Sequence, residues 1–165
     1  MSTDAPARPP QPAAPKAAQR SARRRSREFA LQGLYQWLVA GAPVKEIEAH
    51  IAQIEHFDKC DRAHFDALLH GCIDEATTLD AVLARHVDRK TSMLSPVEHA
   101  ALLIGCFELA RCLEVPYRVA INEAVELAKS FGGTDGHKYV NGVLDKCAGQ
   151  LRPDEAGAGR PRRPA

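Results

Sequence analysis

Apolar residues recur every three to four positions from Leu31 to Cys147, and no alternating, strand-like pattern lasts. The recurrences are Leu31, Leu34 and Leu38; Val44, Ile47, Ile51 and Ile54; Phe65, Leu68, Leu69 and Cys72; and Leu79, Val82 and Leu83. They continue in Leu102, Leu103, Cys106, Phe107 and Ala110, and then in Val140, Val143, Leu144 and Cys147. That period lines one face of a helix, segment after segment. The prediction is an all-α domain of about six or seven helices.

The breakers fall where such helices need joints. Pro43, Pro96 and Pro116 are the three prolines inside this region. In the stretch SPVE, Ser95 is suited to cap a helix, Pro96 to occupy its first position and Glu98 to close a capping box. Gly132 and Gly133 end the helix VAINEAVELAKSF, and Thr134 and Asp135 lead into the next.

The ends differ from this core. Residues 1–20 hold five of the eleven prolines and almost no large apolar side chain, and residues 152–165 are mostly Pro, Gly, Ala and Arg. Neither segment buries enough surface to offset its ordering entropy, so both are expected to be disordered. This gives a Pro/Ala-rich leader (1–20), one helical domain (21–151) and a basic tail (152–165).

The net charge of +1 hides a division. Each end carries +2, which leaves −3 on residues 21–151. A general polyanion binder is therefore not indicated, and any such site must be local. The dense basic run is RSARRRSR, Arg20 to Arg27. Cations in the first turns of a helix oppose its dipole. Arg23, Arg24 and Arg27 are therefore candidate phosphate contacts, the alternative being a solvated basic face.

A second candidate opens the last long helix. Phe131 and Tyr139 flank the glycine turn, with Asp135, His137, Lys138 and Asn141 between or beside them. Aromatic faces, a cation and short polar groups are the ingredients of single-stranded RNA recognition. The alternative makes the two rings core residues and Asp135 a helix cap. The stretch GHKY lacks the Gly-Lys-Ser/Thr ending of a phosphate loop, and no strand precedes it.

Other chemistries fit poorly. His56, Cys60 and His64 would line up on one continuous helix as zinc ligands, but Asp58 and Asp61 suggest a loop and a helix start among them. Five cysteines at irregular spacing, none in a C-x-x-C pair, suit reduced thiols in a cytoplasmic protein. No signal peptide is evident, and no run approaches the ~20 apolar residues of a membrane span. No nucleotide fingerprint, nucleophile elbow or zinc-protease motif is present. The expectation is a protein that is not an enzyme and has no cofactor or metal.

Two stretches, RRRSREFALQGLYQW and VPYRVAINEAVELAKSFGGTDGHKYVNGVLDK, resemble the NusB family of bacterial transcription antitermination factors. The likeness runs from Arg23 to Pro153. It implies an all-α fold of about seven helices in two small packed bundles. It also implies pairing with the ribosomal protein NusE, binding of boxA RNA, and assembly with other Nus factors on transcribing RNA polymerase. By position it assigns RNA contact to Arg23, Arg24, Arg27, Phe131, Asp135, Lys138, Tyr139 and Asn141, and NusE contact to Tyr35 and Glu98. The residue at 139 is often Phe in relatives, and Tyr keeps the stacking face. An RNA methyltransferase carrying such a domain would continue into an α/β domain, and this chain is expected not to.

Overall fold

A computed structural model of the chain describes residues 16–158, all of its regular structure helical. The order is α1 (Lys16–Ala40), α2 (Val44–Ile51), α3 (Arg62–Asp74), α4 (Ala76–Ala84), α5 (Pro96–Arg111), α6 (Tyr117–Phe131), α7 (Gly136–Leu151) and α8 (Pro153–Ala158). Single 3-10 turns at Phe57–Lys59 and Thr91–Met93 precede α3 and α5.

The predicted joints are where the helices begin and end. Pro43 and Pro116 immediately precede α2 and α6, and Pro96 opens α5, where Ser95 Oγ accepts the Glu98 N–H at 3.2 Å. Helix α1 ends at Gly41, whose φ of +63° is left-handed and which donates its N–H to the Trp37 carbonyl.

Two bundles share one central helix. Helices α1, α2 and α3 pack together, as do α4, α5, α6 and α7, and α5 also contacts α1 and α3. Every residue of α5 from His99 to Leu109 is buried, so this helix is covered on all sides. Small residues allow the close crossings. A Cβ at Gly71 of α3 would strike the Phe107 ring, and one at Gly105 would strike Leu144 of α7.

Both predicted domain edges move outward. Residues 16–20, assigned to the disordered leader, form the first turns of α1, because Lys16, Ala17, Ala18, Gln19 and Arg20 are strong helix formers extending an existing helix. The tail is likewise ordered at its start. Arg152 is 4% exposed and donates to the carbonyls of Glu108, Leu109, Cys112 and Val115, thereby capping the C-terminal end of α5. Helix α8 follows directly. The rest of the leader, 1–15, and of the tail, 159–165, lie outside the described residues.

Candidate RNA and partner interface

The arginine run lies on α1, and its members face different surroundings. Arg27 is 3% exposed, and its Nε and Nη2 donate to the two oxygens of the fully buried Glu108 at 2.6 and 2.8 Å. Burial opposes the guanidinium charge, and the facing Glu108 carboxylate more than restores it. The assignment of Arg27 to RNA is therefore corrected: its charge is spent inside the protein, joining α1 to α5, and cannot meet a phosphate.

Arg24 remains exposed on its outer side but donates to both oxygens of Glu123 on α6, at 3.1 and 2.9 Å. Arg23 is half-buried, 3.7 Å from Asp61 and 3.7 Å from Glu114. A phosphate at either side chain would compete with a carboxylate already in place. The acidic partners stand well separated from the run in sequence, so spacing gave no sign of them.

His64 sits in the same interior. Its Nε2 has no hydrogen-bond partner and lies 3.7 Å from Glu108, and burial, aided by Arg27, lowers its pKa to about 4. The histidine is thus neutral near pH 7, next to a pair that is already complete. His56 stands in a left-handed conformation at φ 71° ahead of the 3-10 turn, while His64 belongs to α3. This breaks the continuous helix on which a His56–Cys60–His64 zinc set depended. Among the described residues, the group close enough to hold an ion is Glu48, Asp66 and His70. Arg62 already bridges its two carboxylates, at 3.1 Å each.

At the other candidate site the α6–α7 turn is open to solvent. Phe131 is 39% exposed, and Asp135, Lys138 and Asn141 are exposed. Asp135 precedes α7 without making a side-chain cap bond. Its carboxylate instead lies 3.4 Å from the Lys138 ammonium, with both side chains about three-quarters exposed. The first N–H groups of α7 therefore lack a capping side chain there. Asn141 lies further round the helix, lining a polar cleft of about 400 Å³ with Tyr117, Arg118, Asn122 and Asp145.

Tyr139 is half-buried, and its ring packs on the core. The hydroxyl donates to Asp88 Oδ1 at 2.9 Å, and the Arg89 guanidinium carbon lies 4.9 Å from the ring centroid. Hydrogen bonds from Arg89 and Tyr139 hold the Asp88 pKa down to about 2. The ring was evident from the sequence, whereas Asp88 and Arg89 were not. The signal available was the basic cluster RHVDRK, residues 85–90.

The two partner candidates differ in setting. Tyr35 is 43% exposed on α1, not a core residue, and Val39, one turn on, is 57% exposed. Glu98 is half-buried, and its carboxylate lies so close to Gly136 that a Cβ there would come within 2.6 Å of it. Glu98 therefore links the start of α5 to the start of α7, where a negative charge favours the helix terminus.

The family profile matching residues 24–149 is that of the NusB family. Transcription antitermination protein NusB of Ralstonia nicotianae is 58% identical over 149 residues, covering 90% of this chain and 96% of its own. Its counterpart in Paraburkholderia xenovorans is 59% identical over 143 residues, covering 87% and 99%. Among solved structures, NusB of T. maritima superposes with a TM-score of 0.70 at 26% identity, covering 82% of this chain and 96% of its own. A structure of NusB and NusE in complex with double-stranded RNA matches the same fold at TM-score 0.67 and 22% identity, over 77% and 96%.

Proposed function

The chain belongs to the NusB family, and we propose on that premise that it is a cytoplasmic, non-catalytic transcription antitermination factor. Paired with the ribosomal protein NusE, it binds boxA RNA in nascent transcripts, notably those of ribosomal RNA operons. It thereby joins other Nus factors on transcribing RNA polymerase and helps the enzyme resist premature termination. Among the described residues, no helix is long and apolar enough to cross a membrane.

The observation that carries the RNA reading is the exposed α6–α7 turn, where an aromatic ring, a cation and short polar groups surround a helix start without a capping side chain. Phe131 supplies an open stacking face and Tyr139 a second ring, shared with the Arg89 guanidinium over it. Lys138 supplies a charge for phosphate, and Asp135, with Asn141 further along α7, groups for base edges. Arg23 and Arg24 add cations, each in competition with its carboxylate partner. The NusE surface comprises Tyr35 and its α1 neighbourhood, with Glu98 near the start of α7.

Tyr35→Asp tests the partner surface. The ring is already half open to water, so the variant is expected to keep its helical circular dichroism and thermal midpoint while losing affinity for NusE. An exposed aromatic anchor of this kind contributes about 2 kcal/mol or more, roughly thirtyfold in Kd. Unchanged NusE affinity in the folded variant would remove Tyr35 from the interface.

A further inference from the structure

The connector between α4 and α5 carries Arg85, His86, Arg89 and Lys90 within six residues, against the single acid Asp88. The structure fastens this segment to α7. The Tyr139 hydroxyl donates to Asp88 Oδ1 at 2.9 Å and accepts the Asp88 N–H at 3.3 Å. Arg89 lies over the ring of the same tyrosine and donates Nε to Asp88 Oδ1 at 2.7 Å. Two consecutive connector residues thus hold one side chain, Asp88 at its hydroxyl and Arg89 at its ring.

Arg85, Arg89 and Lys90 are exposed. Among the described residues, neither Arg85 nor Lys90 has a carboxylate within salt-bridge distance, and Arg89 has only its neighbour Asp88. On α1, Arg23, Arg24 and Arg27 face acids from other elements, whereas Lys16, Arg20 and Arg25 have no carboxylate within salt-bridge distance among the described residues. What sets the connector apart is its place: Arg85, Arg89 and Lys90 lie within three residues of the Asp88–Tyr139 contact, where an anionic strand at the α6–α7 turn would meet them.

We propose that the α4–α5 connector forms a second, phosphate-contacting wall of the RNA site, with Arg85, Arg89 and Lys90 as the contacts and the Tyr139 hydroxyl as the positioning group that docks it. The proposal rests on the RNA-binding reading above. It gives the hydroxyl a task that a phenylalanine at 139 could not perform. It also lengthens the RNA path beyond the α6–α7 turn, toward α4.

The test is a titration of labelled single-stranded boxA RNA in the presence of NusE, across a series of salt concentrations. Arg85→Gln, Arg89→Gln and Lys90→Gln combined should weaken binding and flatten the log–log salt dependence by about 2, at ~0.7 for each phosphate no longer neutralised. Tyr139→Phe keeps the ring but removes the latch and should weaken binding about two- to tenfold. Adding Arg89→Gln to Tyr139→Phe should then cost less than the same change in the wild type. A merely structural connector would shift the melting temperature and leave the salt slope alone. If the wild type binds and the triple variant keeps its affinity and slope, the connector proposal is overturned while the RNA reading stands. If Tyr139→Phe binds as the wild type does, the latch is overturned. No binding by the wild type overturns both.

Discussion

Glu108→Leu is expected to lower the unfolding free energy by about 3–5 kcal/mol, because it leaves the Arg27 guanidinium buried and without its counter-charge. The pair is dry on both sides, with Arg27 3% and Glu108 0% exposed. An ordinary domain has only about 5–15 kcal/mol in total, so the loss is a large fraction of the whole. Urea denaturation followed by circular dichroism measures the loss. Replacing both partners, Arg27→Met with Glu108→Leu, should recover much of it, since a well-packed apolar pair often equals or exceeds a buried ion pair. A Glu108→Leu protein as stable as the wild type would show that the guanidinium reaches water. RNA assays are affected too: neutralising Arg27 along with Arg23 and Arg24 lowers stability as well as charge, so the outer arginines are tested by Arg23 and Arg24 variants that keep Arg27.

The other large effect concerns RNA. Tyr139→Ala should weaken boxA binding by about fivefold to more than a hundredfold, the ~1–3 kcal/mol that base stacking on an aromatic ring contributes. The ring also packs on the core and anchors Asp88, so some stability is lost with it. Thermal melts and RNA titrations on the same preparation separate the two effects. The expected result is a protein that remains folded at the assay temperature and binds RNA weakly. A destabilised variant whose folded fraction binds RNA normally would make Tyr139 a packing residue and nothing more.

The helices and their joints were legible in the sequence because both depend on neighbours a few residues apart. The spacing of Leu31, Leu34 and Leu38, the SPVE start and the Gly132–Gly133 stop each act locally. What could not be read is long-range. Arg27 meets Glu108 81 positions away, and Arg152 reaches carbonyls 37 to 44 positions back. An arginine in a basic run looks the same whether it meets solvent or a buried acid. The same holds for the tail, where Arg152 stands in a Pro-, Gly-, Ala- and Arg-rich stretch yet closes the end of α5. At the α6–α7 turn the sequence shows the side chains by type, and the fold leaves Phe131, Asp135, Lys138 and Asn141 exposed. Tyr139 shows what type alone leaves out. In the sequence its hydroxyl is incidental to a stacking ring, and only the fold brings Asp88, on another element, within its reach.

The central claim is that this chain and NusE form one RNA-binding unit for boxA. Fluorescence anisotropy of a labelled boxA single strand, titrated with this chain alone, with NusE alone and with the two mixed at the same fixed salt, tests it most directly. The mixture is expected to bind more tightly than either protein alone and to prefer boxA to a scrambled strand of equal length. Equal binding of the boxA and scrambled strands by the mixture, or no gain on adding NusE, would contradict it.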